Sequence, residues 1–277
     1  MVKNWFKGVA VAALTVAGAV AAQAADLPTR KEAPAPVFVP PPFTWTGFYI
    51  GLNAGAVWKS GNNNGSLYAP SAPWLYSYWP GNNFGNSNTG FIGGGQAGYN
   101  WQTGAFVLGV ETDFDGSSLS KSGNLTGPNF TNPFNGNTGY LTANGKVSLD
   151  WLGSTRGRVG FVVTPDNRLM FYGTGGVAYG GGSARLYFFD SSSGVYFNSG
   201  NNSQSRAGWV IGGGVEYAIT NNIILGAEYL YFDLGSRHFY AYPGSINGIP
   251  APYANVYAQG KVNFDGSVVR ARVSYKF

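Results

Sequence analysis

Nine acidic and basic residues of this 277-residue sequence lie in stretches where apolar residues occupy alternate positions. Several of them are two residues apart, so on an extended strand their side chains share one face. Carboxylates held together in this way can act as general acid and general base. Carboxylates placed opposite arginines can instead form ion pairs between neighbouring strands, and we favour this structural role. The nine residues are Glu111, Asp113, Arg156, Arg158, Glu216, Glu228, Arg270, Arg272 and Lys276.

His238 is the single histidine of the sequence and lies in the last predicted long loop. With Tyr240 and Tyr242 it is a candidate for contact with haem, because His and Tyr both serve as ligands of haem iron. Asp233 and Ser236 are nearby, but they lack the spacing of a catalytic triad on a strand. We interpret His238 as an ordinary loop residue. The sequence predicts no catalytic residue, no resident cofactor and no metal site.

The glycines of Gly93-x-Gly95-x-x-Gly98 match the dinucleotide-binding fingerprint. That fingerprint requires a helix after the glycines, whose N-terminus binds the pyrophosphate. Here aromatic residues continue at alternate positions, which places the glycines in a strand, where they relieve crowding. The net charge of +5 comes from scattered basic residues, so it does not predict nucleic-acid binding. The absence of cysteine excludes a disulfide scaffold and Cys-ligated metals.

The charged residues belong to a strand pattern that begins at Phe48. Phe48, Ile50 and Leu52 share one face, and Tyr49 and Asn53 share the other. The alternation continues for about 11 residues, which is the length of a tilted strand that crosses a bilayer. Seven further segments repeat it, and short turns alternate with long connections over residues 60–89, 115–147, 181–206 and 233–260. The sequence therefore predicts an all-β fold: an eight-stranded antiparallel transmembrane up-and-down β-barrel with four long extracellular loops and short periplasmic turns.

The predicted register assigns each strand an outer and an inner face. In the fourth strand, Leu149 and Trp151 are predicted to face outward and Arg156 and Arg158 inward. Aromatic residues near the strand ends, such as Trp151 and Phe161, would form two girdles at the membrane interfaces. The composition suits this arrangement, since 10% of residues are charged and 16% are aromatic, and disordered chains are poor in aromatics.

Neighbouring strands should bring opposite charges together. Glu111 and Asp113 on the third strand should lie near Arg156 and Arg158 on the fourth. Closure of the barrel places the seventh strand beside the eighth, so Glu228 should reach Arg270 or Arg272. Because eight strands enclose a space only wide enough for side chains, we expect these residues to form an ion-pair network that plugs the lumen.

The N-terminal residues have the organisation of an export signal. Lys3 and Lys7 precede an uncharged Ala- and Val-rich stretch that ends in Ala22-Gln23-Ala24, a small-x-small cleavage site. We therefore predict a signal peptide over residues 1–24. Residues 25–44 are proline-rich and predict an extended periplasmic leader. The β-barrel domain is expected over residues 45–277.

Four segments resemble one known family. They are residues 44–55 (TWTGFYIGLNAG), 151–160 (WLGSTRGRVG), 227–235 (AEYLYFDLG) and 269–277 (VRARVSYKF). The first is similar to the first strand, and the others to the fourth, seventh and last strands, of the opacity-type small outer-membrane β-barrel proteins of alphaproteobacteria, the "porin family". The resemblance covers the whole mature chain apart from the long loops.

This resemblance implies a non-enzymatic surface protein of the Gram-negative outer membrane that maintains envelope integrity and presents its loops as a surface antigen. The expected partners are outer-membrane lipid and lipopolysaccharide, the barrel-assembly machinery, and host or environmental surfaces. In outer-membrane barrels the assembly machinery recognises a terminal Phe preceded by alternating aromatics, to which Val273, Tyr275 and Phe277 correspond. Two alternatives stay open: a narrow pore for ions or small solutes, and a haem-binding receptor, since some relatives bind haemin.

Overall fold

The computed structural model describes residues 42–60, 64–78, 89–200, 202–244 and 253–277. The predicted signal peptide and residues 25–41 of the predicted leader lie outside the described residues. None of the helices in the described ranges has the length and apolar character needed to span a membrane. The strands are β1 (Gly47–Lys59), β2 (Asn64–Tyr68), β3 (Thr89–Thr103), β4 (Phe106–Thr126), β5 (Phe130–Thr131), β6 (Thr138–Gly139), β7 (Leu141–Val162), β8 (Leu169–Asp190), β9 (Val195–Asn198), β10 (Asn202–Ala218), β11 (Ile223–Gly244) and β12 (Tyr257–Lys276), with a 3₁₀ helix at Pro73–Tyr78.

Eight long strands form a closed antiparallel ring. Their order around the wall is β1, β3, β4, β7, β8, β10, β11 and β12, and β12 pairs back onto β1. The pairing of Tyr49 with Lys276 and of Trp58 with Ser267 fixes the register at the closure. This ring confirms the predicted eight-stranded up-and-down barrel.

The predicted alternation separates the two sides of the wall. Leu52 and Trp101 are 66% and 63% exposed on the outer side, whereas Val57 and Val107 are fully buried in the lumen. The outer side therefore presents a continuous apolar surface of the kind that hydrocarbon solvates. The fingerprint-like glycines 93, 95 and 98 lie within strand β3, as the sequence indicates, because no helix follows them there.

The outward orientation predicted for Leu149 is wrong. The register of β7 with β8 shifts between Leu149 and Trp151, and the register of β4 with β7 shifts between Gly116 and Leu119. An extra residue in a strand reverses the alternation beyond it. Leu149 consequently faces the lumen with 5% exposure, while Trp151 keeps its outward position.

Several strands continue into the stretches that were predicted to be loops. β4 runs to Thr126, β7 begins at Leu141, and β8 continues to Asp190. β7 and β8 each contain 22 residues, about twice the 9–11 needed to cross a bilayer. These extensions are rich in Ser, Gly and Asn, so no apolar alternation marks them as strands. Backbone pairing carries the barrel wall beyond the membrane.

The turns at the opposite end are short, as predicted. β3 and β4 are joined through Gly104, whose φ is +60°, and β7 and β8 through a turn in which Asn167 has a φ of 60°. Gly and Asn are the residues that adopt this left-handed conformation most readily. Tight reversals at one rim and long strands at the other give the barrel a periplasmic and an extracellular end.

Candidate functional site

Glycines on the inner wall make room for the long charged side chains. A Cβ at Gly214 would lie 2.7 Å from the Tyr172 hydroxyl, and one at Gly226 would lie 2.9 Å from Cγ of Glu216. Separations below 3.0 Å are not tolerated without movement of a neighbour. The high glycine content of the strands is therefore partly a packing requirement of the lumen.

Arg156 on β7 forms the centre of the charge network. Its Nη2 atom lies 2.6 Å from Oε1 of Glu111 and 2.7 Å from Oδ2 of Asp113. Its Nη1 atom lies 2.9 Å from Oε1 of Glu228 on β11. The first two contacts join the neighbouring strands that the sequence pattern indicated, and the third crosses the lumen.

The two arginines of β12 extend the network. Arg270 lies 2.6 Å from Asp113, 2.5 Å from Asp115 and 2.8 Å from Glu228. Arg272 pairs with Glu111 and lies 3.0 Å from Glu228. Glu228 therefore contacts both arginines that closure of the barrel places beside it.

Arg158 connects the network to two tyrosines. Its Nη2 atom lies 2.8 Å from Glu216, and its Nη1 atom donates to the Tyr49 hydroxyl at 2.9 Å. Tyr49 in turn donates to Glu111 at 2.6 Å. The guanidinium also stacks 4.1 Å from the centroid of the Tyr172 ring, a favourable cation–π arrangement.

Asp115, Tyr49 and Tyr172 complete the network although the sequence analysis did not include them. Asp115 fell in the predicted loop 115–147. A signal was present, because Glu111, Asp113 and Asp115 continue the same two-residue spacing. The aromatic side chains were assigned only to a face of a strand, and nothing in their local sequence distinguishes a hydroxyl that bonds to a carboxylate.

Lys276 does not join the ion-pair network, contrary to its predicted place in that set. It faces inward with 8% exposure, but its Nζ atom donates to the Thr46 carbonyl at 3.3 Å and lies over the Phe43 ring. Among the described residues no ion pair is formed by Lys276. It is one step too close to the periplasmic rim to reach the carboxylates.

The network is isolated from water. Its five carboxylates and four guanidiniums are each 5% exposed or less, so each charge depends on its partners for solvation. Every carboxylate contacts at least one arginine. Such groups are held in fixed ion pairs and are not accessible to a substrate, so the arrangement supports structure and not proton transfer.

An apolar layer closes the periplasmic side of the network. Phe43 and Trp45 pack edge to face at 5.1 Å within a cluster that includes Met170 and Ile224. Trp45 is fully buried, and its indole Nε1 donates to the Asn167 carbonyl at 2.7 Å. Phe43 was predicted to belong to the leader, which was expected to end at residue 44; the structure places its ring inside the barrel mouth.

A second apolar layer lies on the extracellular side of the network. It contains Val57, Ile92, Leu149, Phe232 and Val268, together with other buried residues of the inner wall. The charges are therefore enclosed between two apolar layers. Water and ions that enter from either end meet hydrocarbon before they meet charge.

A further cluster caps the extracellular end. Apolar residues of β7, β8 and β9 pack there with Leu75 and Tyr253 from the connecting segments. Asp190 is fully buried at its centre. Its carboxylate accepts bonds from the Ser192 amide at 2.9 Å, the Ser192 hydroxyl at 2.7 Å and the Tyr253 hydroxyl.

The candidate haem residues His238, Tyr240 and Tyr242 lie on strand β11 and not in a loop. All three are exposed on its outer face. Tyr240 and Tyr242 pack around Tyr257, with ring centroids 5.9 and 6.3 Å apart. No group of three His, Cys, Asp or Glu residues suited to a metal ion is present in the described ranges.

The residues of the predicted assembly signal lie at the C-terminal end of the barrel. Val273, Tyr275 and Phe277 are 44%, 49% and 64% exposed on the outer wall. Phe277 packs against Tyr275 at 5.1 Å and against Phe48 at 5.8 Å. Its amide also donates to the Phe48 carbonyl at 3.0 Å, which ties the last residue to the first strand.

A closed ring of strands with an apolar outer wall, aromatic ends and buried internal charge defines an integral membrane β-barrel. The chain belongs to the outer membrane protein beta-barrel family, whose model matches residues 10–277. It is a surface protein of the outer membrane, surrounded by lipid and lipopolysaccharide.

Named relatives are found in alphaproteobacteria. The chain is 36% identical to a 31 kDa outer-membrane immunogenic protein of Brucella melitensis over 98% of this chain and 100% of that protein. It is 31% identical to a 22 kDa outer membrane protein of Rhizobium leguminosarum over 78% and 75% of the two chains. Among solved structures, the outer membrane protein OprG from Pseudomonas aeruginosa has a TM-score of 0.45 at 14% identity and covers 85% of this chain and 98% of that one.

Proposed function

We propose that this protein is a non-conducting structural barrel that supports the outer membrane and presents its extracellular end to the surroundings. The observation that carries the proposal is the lumen: four arginines and five carboxylates fill its cross-section between two apolar layers. A solute that crossed the barrel would have to break several buried ion pairs, and each broken pair leaves a charge without solvation.

Conductance tests this proposal directly. Purified protein reconstituted in planar bilayers should give no steady single-channel current, and liposomes that contain it should not swell in sugar or amino-acid solutions. A general porin reconstituted in the same lipid provides the positive control. A large, steady conductance from monomers would refute the closed barrel and favour the narrow-pore alternative.

The structural and surface-presenting roles need a test in cells. A deletion strain should become more sensitive to detergents and bile salts, and the wild-type gene should restore resistance. Protease treatment of intact cells should cut at the extracellular end, near residues 61–63, 79–88 and 245–252, and spare the short turns at Gly104 and Asn167. Cleavage at those turns in intact cells would contradict the proposed topology.

The C-terminal residues supply a second part of the proposal. Val273, Tyr275 and Phe277 form an outward row at the end of β12, and we propose that the barrel-assembly machinery recognises this row before the barrel closes. Support comes from the exposure of the three side chains and from the closing position of β12 beside β1.

Haem binding is a second candidate function, favoured by the exposed tyrosines of the extracellular wall. Tyr240, Tyr242 and Tyr257 pack together there with Tyr68, whose ring lies 4.8 Å from that of Tyr257. A spectroscopic haemin titration tests it. Tyr240→Phe/Tyr242→Phe should abolish any Soret shift that Tyr217→Phe, at the periplasmic end, leaves unchanged; an equal titration of both variants excludes this site.

A further inference from the structure

Lys146 on β7 and Arg185 on β8 are directly opposite each other in the antiparallel register. Both side chains are exposed on the outer wall. Residues directly opposite in this register have Cβ atoms about 5 Å apart, and like charges there repel each other. An anion that contacts both side chains would relieve this repulsion.

Two hollows in the outer wall adjoin the pair, and both Lys146 and Arg185 line each of them. The hollow nearer the membrane has a volume of about 380 Å³, and the one farther away has a volume of about 430 Å³. The nearer hollow is also lined by Ser118, Ser120, Ser148, Ser183 and Asp150. The farther one is also lined by Ser122, Asn124, Asn144 and Tyr187. Hydroxyl and amide groups beside two cations are suited to phosphate oxygens.

The height of the pair above the membrane identifies the source of the phosphate. Trp151 stacks on Phe114 at 5.4 Å and lies near Tyr179, which is the aromatic arrangement expected at a membrane interface. Lys146 is five residues farther along β7. With a rise of about 3.3 Å per residue and a tilt of about 40°, it lies roughly 12 Å above that interface.

We propose that Lys146, Arg185 and the two hollows beside them form a docking site for the phosphate groups of lipopolysaccharide. Lipopolysaccharide carries its phosphates on the head group and inner sugars, immediately above the hydrocarbon of the outer leaflet. The site opens sideways from the wall and not toward the top of the barrel, so it meets neighbouring membrane molecules before soluble ones. Asp150 on the nearer hollow would direct phosphate toward the cations. This inference depends on the placement of the barrel in the outer membrane and does not require that its lumen be closed.

Binding of phosphorylated lipopolysaccharide to detergent-solubilised protein tests the proposal. Lys146→Gln/Arg185→Gln should bind about tenfold more weakly than wild type, since two charged contacts are lost. Lys146→Arg/Arg185→Lys should keep the affinity within about twofold. Lys261→Gln, which removes an exposed cation of β12, should also leave it within about twofold. Heat-dependent migration in gel electrophoresis verifies that each variant is folded.

Two further ligands distinguish the source of the phosphate. Dephosphorylated lipopolysaccharide should bind wild type and the double glutamine variant equally. Inorganic phosphate at millimolar concentration should not compete with intact lipopolysaccharide. Equal affinity of wild type and the double variant for the phosphorylated ligand would overturn the proposal. So would an equal loss in Lys261→Gln, or full competition by free phosphate. Single-channel recording of the double variant separates this outcome from a failure of the closed-barrel proposal.

Discussion

Arg156 and Glu228 meet across the lumen, with 2.9 Å between Nη1 and Oε1, although β8 and β10 separate their strands around the wall. A contact between non-adjacent strands resists changes in the cross-section of the barrel. Arg270 makes a second one, since it reaches Asp113 on β4 from β12. Strand pairing closes the ring, and the ion pairs brace it from within.

Removal of Arg156 should destabilise the barrel strongly. Arg156→Met leaves Glu111, Asp113 and Glu228 with fewer partners in a buried site, and breaking a buried pair costs about 3–5 kcal/mol. Urea unfolding in detergent micelles, followed by tryptophan fluorescence, measures the change. Lys146→Met, at an exposed outer position, should change the free energy of unfolding by less than about 0.5 kcal/mol. Equal stability of the two variants would show that the network contributes little.

Inward and outward glycines should differ in their tolerance of a methyl group. A Cβ at Gly214 would approach the Tyr172 hydroxyl at 2.7 Å, whereas none of the atoms around Gly173 lies within 4 Å of an added Cβ. Gly214→Ala should therefore lower the free energy of unfolding by about 1–3 kcal/mol, and Gly173→Ala should be close to neutral. The same unfolding assay compares the two. A neutral Gly214→Ala would mean that the lumen is packed less tightly than the distances indicate.

Asp190 should hold the extracellular cap closed without affecting the membrane part of the barrel. Asp190→Ala removes the acceptor of three bonds from Ser192 and Tyr253, and each bond to a charged group is worth about 1.5–3 kcal/mol. Limited proteolysis of residues 245–252 in intact cells should become faster, while heat-dependent gel migration is retained. Asp150→Ala on the outer wall is the matched control. Unchanged proteolysis would remove Asp190 from this role.

The same cap should loosen in alkaline solution. Burial raises the pKa of the Tyr253 hydroxyl, and its bond to Asp190 raises the pKa further. Because the folded cap retains this proton more tightly than an open one, its stability is complete below pH 10, the ordinary value of tyrosine, and declines as the pH rises above it. Proteolysis of residues 245–252 should accelerate above pH 10 in wild type. Tyr253→Phe should lose most of that acceleration; an identical pH profile in the variant would contradict the assignment.

The terminal phenylalanine should affect insertion more than stability. Deletion of Phe277 removes the ring that packs on Phe48 and Tyr275 and shortens the outward row of β12. Cells should accumulate unfolded protein in the periplasm, and the folded fraction should fall several-fold. Phe277→Tyr, which keeps an aromatic ring, should insert normally. Normal insertion of the deletion variant would exclude a role for the row in assembly.

The sequence alone determined the strand number, the two faces of the wall and the neighbours of each charged segment. It could do so because side chains on a strand alternate with a period of two and lipid demands apolar residues at every second position. The pairing of Arg156 with Glu111 and Asp113 follows from that periodicity and from strand order.

The tertiary structure decided what depends on distance across the lumen and on irregularities in the strands. The contact of Arg156 with Glu228 is set by barrel width and strand stagger, which leave no mark in local sequence. The bulge beside Leu149 reverses a face, and Ser- and Gly-rich extensions pair through their backbones without an apolar signal. Phe43 and Trp45 enter the barrel mouth because the ring, once closed, offers an apolar space that no single strand contains.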